Sequence, residues 1–519
     1  NIMTQPMWFS PLHTAQSWQT ASKRRECYQW LQLYDTQVLT SDFTFKSVAE
    51  LAFVPSEIIE DTLTGGILYE NIHSEPIMTG SGILRSPSKL GVRECKDKTC
   101  FEIKVHGYWR PNKCSEEHKM IILDGHTYRH KVKLEKNRIY RRQKGIPEGG
   151  DKPNIHIPAE LVSKKEAQKI SLEDFLLAPV PEVGIIHLDA DQAWLAGLCA
   201  ADGCLQDSSG YTSSFTMDKN EYHRANVESL LADIFKSTVS SKKHGDGDGW
   251  RVRVSTKKAF LFFRQYVVGK KILKKFTKEV FNLDKESRLH LLGGYFDGDG
   301  HFSDQLKIIA TNYSRDMADQ IYWLCLSVGI RVSIGKHHIE PEMGYKTTSE
   351  WRYSVNIPSA DIPLLRPYMR GNKIPENFQP KKERQLRFFY KENGTQYFAQ
   401  PIKSIKQFKY TGLGYDLQID PERSFVANGF VTSNCRFFID NDPKVAAAIR
   451  FYSEFSMNGF KLECPSRKIL SYYEHHVIKR LNLGEKFKQL SREYYTLGDV
   501  FSHMDVDCPV CFGSGVDPD

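Results

Sequence analysis

The chain has 519 residues, which at roughly one domain per 150 residues leaves room for three or four domains. Apolar residues make up 40%, charged 26% and aromatic 12%, and 71 Lys and Arg stand against 63 Asp and Glu for a balance of +8, which argues against wholesale disorder. No run of 18 uncharged apolar residues occurs and the Asn1-Ile2-Met3-Thr4 start lacks a basic-then-apolar leader, so a membrane-spanning or secreted protein is not expected and a cytoplasmic one is.

In chain order, residues 1–31 are polar and aromatic, with helical spacing between Trp18 and Trp30. Residues 32–135 read as strands, in short β-branched runs such as Gln37-Val38-Leu39-Thr40 broken by Gly, Asn and Asp. A basic connector containing Pro and Gly, with little periodicity, follows over 136–182. Helix and strand mix across 183–385, strand character returns over 386–434, and 435–519 reads as helices.

Basic residues are clustered rather than spread. Lys242, Lys243, Arg251, Arg253, Lys257 and Lys258 lie beside Trp250, Phe260, Phe262 and Phe263, a grouping suited to phosphate contacts or, equally, to a solvated charged face. Eleven cysteines without a leader suggest reduced thiols. Cys508 and Cys511 form half of a zinc ribbon by spacing, complete only if further ligands lie downstream. Cys95, Cys100 and Cys114 with His118 lack such a pairing. The Asn1 start and the unpaired Cys508 and Cys511 suggest a piece of a longer chain.

The mixed region contains an internal repeat. Leu195-Ala196-Gly197-Leu198-Cys199-Ala200-Ala201-Asp202-Gly203 corresponds to Leu292-Gly293-Gly294-Tyr295-Phe296-Asp297-Gly298-Asp299-Gly300, and each copy continues as strand, helix and strand. Lys271 follows Asp202 by 69 residues and Lys373 follows Asp299 by 74, each beside an apolar pair. Glycine inside a helix costs about 1 kcal/mol relative to alanine, so the small residues predict two helices in close contact. That contact brings Asp202 and Asp299 together at the helix C-termini, where the helix dipole and mutual repulsion disfavour both charges. Divalent cations relieve both penalties and bridge to a phosphodiester. The alternative is that Asp-Gly only terminates each helix.

These residues resemble the paired motifs of a single-chain LAGLIDADG homing endonuclease, over about 183–385. The resemblance implies two pseudo-symmetric αββαββα repeats (183–283 and 284–385), saddle-like sheets on the major groove, a monomeric nuclease and Mg²⁺-dependent cleavage of both strands of double-stranded DNA. It also implies Asp202 and Asp299 as metal ligands and Lys271 and Lys373 near the scissile phosphates, with Lys242, Lys243, Arg251, Arg253, Lys257 and Lys258 on the DNA. Ala200 departs from the motif where Asp297 keeps its acid.

The flanking β segments resemble the two halves of an all-β Hint splicing domain, that of an intein. Leu33 to Thr40, Gly125-His126-Thr127-Tyr128-Arg129-His130, Tyr415-Asp416-Leu417 and Phe425 to Cys435 match its blocks in order, with the nuclease nested between the second and third. The resemblance implies that Asn434 cyclises onto its own carbonyl, that Cys435 attacks the upstream junction, that Thr127 and His130 polarise that peptide, and that Asp416 orients the thiol. The opening residue is Leu31 or Gln32, neither a nucleophile, so direct attack by Cys435 is expected; Ser433 replaces the usual His, which predicts slow cyclisation. Residues 1–31 joined to 435–519, mostly helical, resemble part of a phage portal protein, implying a ring oligomer in the virion. The other class of reading is a structural assembly protein carrying an inactive insert.

Overall fold

Side-chain oxygens placed just ahead of apolar runs start the helices of the middle region. In the computed structural model of the chain, Asp189 accepts from the N–H groups of Asp191 and Gln192 to begin a helix over Ala190–Asp202, the first motif helix. Asp284 accepts from Ser287 N to begin the second, over Lys285–Gly298. Thr256 and Ser314 cap the helices Lys257–Tyr266 and Arg315–Ser327 in the same way. The structure describes residues 32–33, 35–51, 57–61, 66–70, 75–125, 162–207, 210–218, 224–243, 249–339, 349–380, 388–390, 395–419, 422, 424–433 and 471.

Each repeat runs helix, two strands, helix, two strands, helix. In the first, Ala190–Asp202 leads to the strands Gly203–Gln206 and Thr212–Asp218, the helix Arg224–Phe235, the strands Val239–Lys243 and Gly249–Val254, and the helix Lys257–Tyr266. In the second, Lys285–Gly298 leads to Gly300–Phe302 and Ile308–Asn312, the helix Arg315–Ser327, the strands Ser333–His338 and Trp351–Ile357, and a helical turn Ile362–Leu365. Each sheet is a four-stranded antiparallel one, with the second and fourth strands central. Alternation along the strands makes one face apolar: Phe215, Val252 and Val254 in the first sheet, and Ile308, Ala310, Val355 and Ile357 in the second, are buried. The helices pack there, as Phe263 against Phe215 illustrates, and leave the opposite faces polar.

Segments on both sides of the repeats pair into one larger sheet. The strand Gln396–Gln418 runs antiparallel to Lys89–Val105, from Ile405 opposite Ile103 to Leu417 opposite Leu90. Gln32–Leu33 lies against Tyr415 and Gly414. Phe430–Ser433 pairs with Ser424–Ala427 through a two-residue turn at Asn428 and Gly429, both with positive φ, as the Asn-Gly dipeptide favours. The described residues of 32–125 and 395–433 thus form a β unit from chain on both sides of the repeats.

The connector expected over 136–182 needs correction. Val162–Glu166 and Phe175–Pro179 are strands of the large sheet, the first paired with Lys119–Leu123 and the second with Gln396–Gln418. The first of them can read Val-Ser-Lys-Lys-Glu because among the described residues only one of its edges is paired and most of its side chains reach solvent. The flanks 1–31 and 435–519, expected to be helical, lie outside the described residues except Ser471. No helix among the described residues is long and apolar enough to cross a membrane.

Candidate active site between two motif helices

The small residues of the repeat are explained by contact of backbone on backbone. A Cβ on Gly197 would lie 1.8 Å from the Leu291 carbonyl oxygen, and one on Gly294 would lie 1.9 Å from that of Trp194. The two clashes are reciprocal, which places a pseudo-twofold axis between the helices. Near their C-terminal ends a Cβ on Gly298 would lie 2.4 Å from Cβ of Ala201 and 2.6 Å from Oδ2 of Asp202. The first acid therefore abuts the last turn of the opposite helix.

Asp202 ends the first helix and Asp299 caps the second. Burial pushes the Asp299 carboxyl above the usual carboxylate range, against the opposing pull of Lys274, Tyr295, Lys373 and Asn312. Tyr295, buried beneath it, has a hydroxyl raised well above its ordinary value by burial and by the Asp299 and Asp202 charges. Asn312 Nδ2 donates to that hydroxyl at 3.2 Å.

Two lysines complete the symmetry. Lys274 Nζ donates to the carbonyls of Ala201 and Gly203 at 2.9 and 2.8 Å, on either side of Asp202. Lys373 Nζ donates to those of Gly298 and Gly300 at 2.7 and 2.9 Å, on either side of Asp299. Each ammonium thus satisfies carbonyls at the negative end of a motif helix. Burial lowers the Lys274 pKa, and the nearby Cys199, Asp299 and Asp202 oppose it.

The lysine expected in the first repeat was Lys271, and the structure puts Lys274 in the position that mirrors Lys373. Lys271 instead starts a single 3-10 turn with φ of 53° and lines the rim of the adjoining cavity. Four lysines within six residues gave the spacing no means of choosing among them. The backbone two and three residues before Lys373 is fixed by Asp297, whose buried carboxylate accepts from Trp194 Nε1 at 2.8 Å, Arg370 N at 2.6 Å and Gly371 N at 3.0 Å. Tyr295 and Asn312 carried no motif signal, because their role comes from the fold.

A cavity of about 600 Å³ opens beside Asp299, lined by Ala201, Lys270, Lys271, Lys274 and Asn312 among others. Among the described residues no group of three or more His, Cys, Asp or Glu is gathered to hold a metal ion. Two carboxylates on touching helix ends nonetheless suit a hard cation such as Mg²⁺, which commonly keeps waters and takes substrate phosphate oxygens as further ligands. The strained ionisation of Asp299 fits the same ion. The thiols of Cys95, Cys100 and Cys114 are buried in the β unit, and burial, foremost, pushes Cys100 up to about 12. His118 there contacts the Thr432 hydroxyl.

Of the six basic residues expected on DNA, three share a surface. Arg251 sits opposite Lys242 and Thr216, and Arg253 opposite Ser240 and Ser214, so these side chains line the polar face of the first sheet. Lys243 pairs with Trp250 and belongs to the other face. Lys257 and Lys258 open the helix behind the sheet, where Lys258 Nζ reaches the Ile234 carbonyl at 3.4 Å. Two of the aromatic residues beside them are not available to nucleic acid: Phe260 and Phe263 are 2% and 0% exposed and belong to the packing behind the sheet.

The residues assigned to splicing fall mostly outside the described residues: Thr127, His130, Asn434 and Cys435 all do, as do Cys508 and Cys511. Asp416 is half-buried in the long strand opposite Gly91, next to the Tyr415 that pairs with Gln32.

Residues 286–358 match the LAGLIDADG-like domain family. Among solved structures, mesophilic variants of the homing endonuclease I-DmoI are similar at 16% identity over 35% of this chain and 94% of theirs, with a TM-score of 0.26. The N-terminal LAGLIDADG domain of DUF199/WhiA is similar at 12% identity over 36% and 86%, with a TM-score of 0.25. The homing endonuclease I-WcaI, bound to its DNA recognition sequence, is similar at 16% over 37% and 86%, also with 0.25. The second repeat is a LAGLIDADG-like domain.

Proposed function

We propose that residues 183–385 are a site-specific endonuclease that cuts both strands of duplex DNA, with Asp202 and Asp299 holding Mg²⁺. The observation that carries this reading is the symmetric site: two acids from touching helix ends, each flanked by a lysine fixed on the carbonyls beside it. A cation bound there supplies Lewis-acid stabilisation of the phosphodiester and of the attacking water oxygen. Asp202 and Asp299 provide the anionic seat, and two polar sheet faces give a duplex its track. Lys274 and Lys373, each half-withdrawn onto main-chain carbonyls, present positive charge where the phosphate gains negative charge as water adds to phosphorus and the ester oxygen leaves.

The test uses duplexes coding for the flanks joined directly, with the junction after residue 30 and after residue 31, and the full-length protein with Mg²⁺. Cutting of both strands near the junction is expected, lost by at least about 10³-fold in Asp202→Asn and Asp299→Asn. Absence of cutting by the wild type with either duplex rejects the reading and leaves the structural assembly protein with an inert insert.

The nuclease is read as lying within a self-splicing element. Support comes from the β unit itself, assembled from chain on both sides of the repeats, with Gln32 and Asp416 on neighbouring positions of paired strands. In this reading Asn434 cyclises, Cys435 attacks the upstream junction, Thr127 and His130 assist, and the joined flanks become a portal-like subunit. Following the mass of the purified chain tests it. Release of a fragment ending at residue 434 is expected and should vanish in Asn434→Ala, whereas an intact mass over days rejects it.

A further inference from the structure

The two sheets differ at their outer edges. In the first repeat, Val239–Lys243 is the edge strand and is paired on one side only among the described residues. In the second, the equivalent strand Ser333–His338 meets a turn of the β unit. Ile334 N donates to the Gly107 carbonyl at 2.8 Å, and Tyr108 and Ile334 form a parallel bridge. The turn is tied back to the long strand by His106 N, which donates to the Pro401 carbonyl at 2.9 Å. The polar face of the second sheet therefore does not stop at its own last strand.

Where the two surfaces meet they enclose an open hollow of about 610 Å³. One wall is the outer face of the second sheet, where Thr311 lies opposite Ser354, His301 and Asn356 flank Ile309, and Arg352 lies opposite His337. The other wall is the β unit, through His106 and Lys403, both exposed. Asp and Glu are absent from the described residues that line it. Among the described residues neither Lys403 nor Arg352 has an ion-pair partner, although the surface carries many acids. Hydroxyl, amide and imidazole groups on the floor suit base edges, and positive charge on both rims suits a polyanion.

We infer that the β unit supplies part of the DNA-binding surface, with Lys403 and His106 contacting the backbone of the half-site that the second repeat reads. This rests on the endonuclease reading above. The complex is thereby asymmetric. The first half-site meets a face carrying Lys242, Arg251 and Arg253, while the second half-site meets a polar face whose Arg352 is supplemented by Lys403 and His106 of the β unit. The protected duplex accordingly extends further from the junction on the second-repeat side.

The experiment measures binding of the full-length protein to the joined-flank duplex without divalent metal, across a range of salt concentrations. Lys403→Glu is expected to weaken binding about tenfold, and Lys403→Gln to lower the slope of log affinity against log salt by about one. Trimming the duplex on the second-repeat side should weaken the wild type and remove the difference between wild type and variant. Trimming the other end should preserve that difference. Lys403 is exposed, so the thermal midpoint is expected to stay unchanged, which separates lost contact from lost fold. Equal affinity and equal salt slope for wild type and Lys403→Glu on the untrimmed duplex overturns the inference while leaving the endonuclease reading intact. A wild type that neither binds nor cuts the duplex removes both.

Discussion

In the proposed endonuclease a lysine near a scissile phosphate is useful only if its ammonium is held, and the carbonyls beside Asp202 and Asp299 do the holding. Lys274 is fixed by Ala201 and Gly203 as Lys373 is by Gly298 and Gly300, whereas Lys271, three residues away, sits on an exposed turn. The roles separate on substitution. Lys274→Met and Lys373→Met are each expected to lower kcat by about 10²-fold or more while changing DNA affinity only a few-fold, because a fixed charge acts mainly on the transition state. Lys271→Met should affect kcat little and affinity by no more than one phosphate contact. Single-turnover cleavage and equilibrium binding, measured on the three variants side by side, check this. A larger kcat loss for Lys271→Met than for Lys274→Met reverses the assignment. Asp297 acts one step back, as the acceptor for Arg370 N and Gly371 N that fixes the approach to Lys373.

At the scale of elements, the motif helices are held at a separation that only glycine permits. Adding a methyl at Gly294 would bring it 1.9 Å from the Trp194 carbonyl, and no side-chain rotation relieves a clash with main chain. Gly197→Ala and Gly294→Ala are therefore each expected to cost about 3 kcal/mol or more, at the upper end of overpacking in cores. Because both acids ride on these helices, cleavage should fall by about 10²-fold even at temperatures where the variants stay folded. Chemical unfolding and cleavage at low temperature give the two readouts, and variants with wild-type stability would count against the close contact.

This packing is the part of the site most legible in the sequence, since Gly197 and Gly294 are costly in helices unless something approaches closely. The acids were legible for the same reason, being fixed at the ends of the same two helices. Lys274 was not, because choosing among neighbouring lysines requires knowing which can reach a carbonyl. Nor was the division of the basic cluster, where Arg251 and Lys243 fall on opposite faces through strand pairing alone. Of the strands at 162–179, Val162–Glu166 was missed because a half-paired edge strand has the composition of a connector, and Phe175–Pro179, buried and paired on both edges, because a short apolar run does not by its periodicity declare a strand.

At the scale of the molecule, the β unit and the repeats share one core rather than meeting at a polar boundary. Phe43 stacks on Phe281 at 3.9 Å, Tyr108 packs on Tyr322 at 5.0 Å and Phe45 on Trp323 at 6.4 Å. Across the same junction Arg110 of the β unit forms an ion pair with Asp319 of the Arg315–Ser327 helix, at 4% and 0% side-chain exposure. Arg110 also lies over the rings of Phe45 and Trp109. Burial, outweighing the Arg110 charge, pushes the Asp319 carboxyl up to about 6. A carboxyl with a raised folded pKa favours the native state most below its unfolded value of about 3.8, and that contribution declines as pH rises to about 6. Removing one member alone leaves a buried charge without its partner, so Arg110→Met and Asp319→Leu should each cost about 3–5 kcal/mol at pH 7. The double variant should recover most of that loss, since two apolar side chains need no desolvation of charge. Urea unfolding should show one transition for β unit and repeats in the wild type, as expected of a continuous core. The single Arg110→Met variant should be less destabilised at pH 5 than at pH 7, because protonation of Asp319 removes the orphaned charge. If the two single losses simply add in the double variant, or if the Arg110→Met penalty is the same at both pH values, the pair is not what joins the repeats to the β unit.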